Sequence, residues 1–157
     1  MRKVFSLGVA VIFLTMGAVR PVAQDHQPNG PMADRFSGAW RLLWLEEPDA
    51  EGKIHKADCT GLLVYTKDGH MSVQVMYRNA QGAGGAAPVQ YAQGGYEASF
   101  GRYEINDART FTFHVEGALV RTLIGKDLKR VYELSGNQLT VRSPDPKEHW
   151  RVAWERD

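Results

Sequence analysis

From Ala39 to the C-terminus, short apolar-rich runs alternate with clusters of turn residues, and within the runs the apolar period is two. Trp40, Leu42 and Trp44 place a large apolar side chain at every second position, the pattern of a strand with one buried face. Residues 60–65 and 71–77 flank Lys67, Asp68 and Gly69. Two β-rich runs around an Asp-Gly pair predict a hairpin. Residues 102–105 lead through Asn106 and Asp107 into 110–116, where Phe111, Phe113 and Val115 alternate with Thr112, His114 and Glu116. A third hairpin joins 129–134 to 138–142 across Ser135, Gly136 and Asn137, and residues 150–156 form a last run. Short strands at this spacing, with turn signals between them, predict an all-β antiparallel barrel or sandwich.

Two stretches break the rhythm. Residues 79–95 are rich in Gly and Ala, with Pro88 and Tyr91 in the middle. Connections of that length in a compact domain are usually functional or disordered. Tyr91, Tyr96 and Phe100 add large apolar side chains that a disordered linker seldom needs, so the segment reads as a loop or short helix, with a lid over the barrel mouth and a simple mobile connection as the two alternatives. At the N-terminus, Arg2 and Lys3 precede the apolar run 4–16, and small residues follow at Gly17, Ala18 and Ala23. This order predicts a signal peptide over 1–23, cut after Ala23 in preference to Ala18, and export to the periplasm or the outside. The run is shorter than the roughly 20 residues of a membrane helix, so no stable span is expected after processing. Polar residues with Pro28, Asn29, Gly30 and Pro31 make 24–35 a flexible leader. The barrel domain then occupies 36–157.

With 157 residues, 43% of them hydrophobic and 24% charged, the composition is that of one soluble globular domain. Loss of 1–23 removes Arg2, Lys3 and Arg20 from 19 basic residues and none of the 18 acidic ones. The remainder is slightly acidic, so nucleic acid is not an expected partner. Cys59 is the only cysteine, which excludes an intrachain disulfide and leaves the core to hold the exported domain.

More specific is a set of motifs: Gly38-Ala39-Trp40-Arg41-Leu42, then Thr60-Gly61-Leu62-Leu63-Val64-Tyr65, then Asp68-Gly69-His70-Met71-Ser72, and the closing Trp154-Glu155-Arg156. With Gly101-Arg102-Tyr103 and His114-Val115-Glu116-Gly117, the chain from about residue 36 resembles the lipocalin-like domain family of bacteria and fungi. The resemblance implies an up-and-down β-barrel with an interior cavity. It also implies that Trp40 closes one end of the barrel, with an Arg of the last strand packed over it. Here Trp150, Val152, Trp154 and Arg156 share one face, which lets Arg156 lie across Trp40.

Chemistry is sparse. His114 and Glu116, two apart on one strand, share a face and can work as an acid–base pair if that face is interior. If Phe111, Phe113 and Val115 point inward instead, the pair belongs to the solvated face. Tyr65, Gln74, Tyr103, Arg130 and Tyr132 are polar strand residues suited to orienting a ligand in an otherwise apolar cavity. His26, His55, His70, His114 and His149 are scattered, no Gly-x-Ser-x-Gly occurs, and no Gly-rich loop opens a helix. Neither a metal nor a cofactor is expected. The reading is an exported binding protein for a small apolar or amphipathic molecule. A cofactor-free isomerase or cyclase using His114 and Glu116, and an envelope protein acting through protein contacts, are the alternatives.

Overall fold

The computed structural model describes residues 30–79 and 94–156. The expected signal peptide and most of the expected lid, Tyr91 included, lie outside the described residues. A short helix α1 (Gly30–Phe36) precedes nine strands: β1 (Gly38–Pro48), β2 (Ile54–Lys56), β3 (Cys59–Tyr65), β4 (His70–Tyr77), β5 (Tyr96–Ile105), β6 (Thr110–Ala118), β7 (Asp127–Ser135), β8 (Gln138–Arg142) and β9 (Arg151–Glu155). A 3₁₀ turn at Arg121–Leu123 lies between β6 and β7. Every pairing is antiparallel and neighbours follow chain order from β3 to β9.

The meander closes because β1 pairs along both edges. Its first residues, Gly38 to Arg41, run against β3, while Arg41 to Glu46 run against β9. Its far end carries the small strand β2 as a flap outside the eight-stranded ring. The expected antiparallel up-and-down barrel is thus the observed fold. Closing a sheet fixes parity: alternate side chains fill the lumen and the others face out. In β6, Phe111, Phe113 and Val115 are all buried.

Three local readings are corrected. Trp40 and Leu42 point inward, but a β-bulge between Leu42 and Trp44 turns Trp44 outward. An extra residue in a strand shifts everything after it by one face. Trp44 then takes cations on its ring, Arg151 at 5.2 Å and Lys56 at 5.7 Å, while Leu45 and Glu47 turn inward. β5 starts at Tyr96 rather than at 102, so Tyr96 and Phe100 belong to a strand and not to a docked lid. Phe100 lies on the outer surface over Gly117, where a β-carbon would come within 2.3 Å of its ring. Finally, the C-terminal part of the expected flexible leader is α1, because Ala33 and Phe36, three residues apart, share one helical face and are fully buried.

That helix plugs one end of the barrel. The Phe36 ring sits edge-on to Tyr132 at 4.9 Å and Tyr65 at 5.0 Å, and stacks on Tyr103 at 6.1 Å. Each such pair adds about 0.5–1.5 kcal/mol beyond the area it buries. The Tyr103 and Tyr132 hydroxyls donate to the carbonyls of Thr66 and Asp107, at 3.0 and 3.1 Å, tying the plug to two hairpin turns. Trp40 is fully buried and its Nε1 donates to the Phe36 carbonyl at 2.8 Å. Arg156 lies 4.8 Å above the Trp40 ring and donates through Nη1 to the carbonyls of Ser37 and Arg35, at 2.8 and 3.0 Å. One guanidinium thereby caps the indole and holds the helix end.

Trp40→Ala should therefore destabilise the domain by about 3–5 kcal/mol, the cost of emptying a large aromatic site. Thermal unfolding followed by circular dichroism should show a midpoint lowered by more than about 10 °C. An unchanged midpoint would mean that the plug is not held through Trp40.

Candidate functional site

Above the plug the lumen is not filled. A cavity of about 100 Å³ remains open to the centres of water-sized groups, several times what one water needs. Its wall is mainly apolar, with Leu63, Met71, Val75, Phe113 and Val141 from four strands and Trp150 and Trp154 at the β9 side. Tyr65, at the end of β3, belongs to the plugged end. Tyr77 at the end of β4, Glu97 near the start of β5, and Leu123 of the 3₁₀ turn belong to the opposite rim.

The polar groups are few and directed. Glu97 follows the inward parity of Ser99 and Tyr103 and lines the cavity. Burial pushes its carboxyl up to about 7, against the opposing pull of Arg130. Arg130, on β7, lines the same cavity, with its guanidinium 5.2 Å from the Trp150 ring centre. Tyr77 donates to Glu47 Oε2 at 2.9 Å, and burial raises the Glu47 carboxyl as well. Cys59 is buried and its thiol is pushed up to about 11, chiefly by desolvation, so it stays protonated near neutral pH. The Tyr65 hydroxyl is buried without a hydrogen-bond partner among the described residues.

Of the five residues expected to orient a ligand, the structure brings Tyr65 and Arg130 to the cavity. Tyr103 and Tyr132 stand in the plug, with their hydroxyls committed to turn carbonyls. Gln74 is on the outer face, accepting from the Tyr96 hydroxyl at 3.2 Å. The pair expected to do acid–base chemistry is also outside, because Phe111, Phe113 and Val115 take the inward positions of β6. His114 Nδ1 lies 2.7 Å from Asp127 Oδ1 and its Nε2 3.7 Å from Glu104 Oε2, while Glu116 is exposed. Neither residue lines the cavity, so the pair is not placed to do acid–base chemistry on a molecule held there. Glu97, Tyr77 and Ser99 were missed. The signal for Glu97 and Ser99 was inward parity counted back from Tyr103, available once 96–105 is read as one strand, and that for Tyr77 was its parity with Met71 and Val75 on β4. Among the described residues no three His, Cys, Asp or Glu are grouped to hold a metal. Nor is any described helix long and apolar enough to cross a membrane.

The raised carboxyls fix the sign of a pH effect. Glu97 holds its proton to about 7 in the fold, against an ordinary 4.5, so the folded state binds more protons than the unfolded state between these values. Its contribution is fully present below about 4.5 and is lost as the pH rises through about 7. Glu47 acts in the same sense, whereas Asp68 and Asp107, lowered from 3.8, act below this window. Chemical denaturation should show stability falling by roughly 3 kcal/mol from pH 5 to 8. Glu97→Gln should remove most of that slope, and an equal slope in the variant would place the raised group elsewhere.

Among solved structures, the chain is similar in fold to a lipocalin-like protein from Bacteroides uniformis, at 16% identity and a TM-score of 0.47, covering 78% of this chain and 99% of that one. It is also similar to a redesigned β-barrel, at 11% identity and a TM-score of 0.43, covering 80% and 94% of the two chains. A de novo designed fluorescence-activating β-barrel gives 12% identity and a TM-score of 0.41, covering 80% and 96%. No curated protein matches the chain. The sequence profile of the lipocalin-like domain matches residues 37–156, from the residue before β1 to the arginine that caps Trp40. The chain therefore belongs to the lipocalin-like domain family.

Proposed function

We propose that the mature chain is an exported binding protein that holds one small apolar or amphipathic molecule inside the barrel. The observation that carries this reading is the unfilled lumen, apolar over most of its wall and set with a few polar groups that converge on it. Sites that hold small organic ligands have this composition, since apolar wall supplies affinity and sparse polar groups supply orientation. The plug supports the same reading, because a sealed end makes the lumen a blind pocket rather than a channel. A catalyst of the isomerase or cyclase kind would have to work through Glu97, the cavity carboxyl whose proton is exchangeable near neutral pH.

Export rests on the order of basic, apolar and small residues in 1–23. The protein recovered from outside the cytoplasm should begin at Gln24 on N-terminal sequencing. Native mass spectrometry of that protein should show a bound organic molecule at one per chain, displaced by unfolding. Recovery of empty protein, together with no change in Trp150 and Trp154 fluorescence on adding apolar probes, would defeat the binding reading. Release of a chemically altered molecule on each cycle would favour the catalyst.

A further inference from the structure

Besides the Tyr65 hydroxyl at the plugged end, a second polar group in the cavity has no hydrogen bond that holds the fold. The Glu97 carboxyl lines the cavity on a half-buried side chain, and none of the hydrogen bonds and ion pairs found among the described residues involves it. The charged and titratable groups around it are Arg130 from β7 and Tyr77 from β4, with Glu47 of β1 behind Tyr77. Tyr77 is already committed to Glu47. A carboxyl in an apolar wall costs free energy unless something pairs with it, and an apolar side chain of similar size would fill the position without that cost. The position makes physical sense when a ligand supplies the missing partner.

We propose that Glu97 is the polar anchor of the cavity, accepting a hydrogen bond from a hydroxyl or amide N–H of an electroneutral, otherwise apolar ligand. The inference rests on the binding reading above and narrows it to a ligand class. The two local charges oppose both neighbouring classes once Glu97 is ionised. Above about pH 7, where Glu97 is ionised, a carboxylate would meet its charge, and a cationic amine would meet the field of Arg130 in the same cavity. An uncharged donor meets neither opposition. Because the Glu97 carboxyl ionises near 7, and an ionised acceptor makes the stronger bond, the affinity for such a donor rises with pH across neutrality.

The test uses the mature protein and two probes of one shape, 2-naphthol and 2-methylnaphthalene, measured by equilibrium dialysis. Glu97→Met should weaken 2-naphthol about tenfold and leave 2-methylnaphthalene unchanged or tighter. Glu97→Gln keeps a carbonyl acceptor, so it should retain most of the 2-naphthol affinity at pH 6 and lose the increase toward pH 8. That second variant decides the matter if Glu97→Met fails to fold. Equal weakening of both probes in Glu97→Met, or an unaltered pH profile in Glu97→Gln, would overturn the anchor. Tighter binding of 2-naphthoate or 2-naphthylmethylammonium than of 2-naphthol would overturn the preference for an uncharged ligand. Failure of both neutral probes to bind the unsubstituted protein would instead remove the binding reading on which the anchor rests.

Discussion

Strand β1 hydrogen-bonds to β3 along one edge and to β9 along the other, and this double pairing turns an open meander into a ring. Once the ring exists, every inward residue must share one lumen and every outward one must meet solvent. The bulge between Leu42 and Trp44 is part of the same constraint. It falls in the part of β1 paired with β9, and it exchanges Trp44 for Leu45 and Glu47 on the inner face. Without closure neither the plug nor the cavity would be enclosed.

The two ends of the ring have opposite chemistry. At the plugged end, aromatic rings from β3, β5, β6 and β7 pack around Phe36 of α1, and Arg156 caps Trp40. At the other rim, carboxyls and a tyrosine replace the rings, with Glu47 and Glu97 both close enough to Tyr77 to raise its hydroxyl. Burial without full pairing is unfavourable there. This separation lets the rim carry groups that suit a ligand rather than the fold.

The sequence showed the hairpins plainly because their turns are chemically marked. Gly69 and Gly136 adopt left-handed backbone angles, φ of 89° and 57°, where glycine is favoured. Arg156 over Trp40 was legible from parity on the last strand together with the family resemblance. The helix was not, because Pro28, Asn29, Gly30 and Pro31 mark a turn-rich leader and the apolar residues that dock are only Met32, Ala33 and Phe36. The site was legible in part. Alternation tells which residues share a face but neither which face is inside nor how far along the barrel a residue lies. Hence Tyr103 and Tyr132 have inward parity but stand in the plug, while Tyr65 and Arg130 reach the cavity. Glu97 was lost because a strand beginning directly after a Gly/Ala-rich stretch looks like its continuation.

The central claim is that a ligand occupies the lumen and not the outer surface, where Leu62, Met76 and Phe100 also offer exposed apolar area. Methyl-resolved NMR during titration of the mature protein with 2-methylnaphthalene distinguishes the two directly. The account predicts saturable shifts at Leu63, Met71, Val75 and Val141, which face the cavity, with Leu62 and Met76 on the adjacent outer positions unmoved. Shifts confined to Leu62, Met76 and Leu119, or none at the inward methyls at saturation, would contradict it.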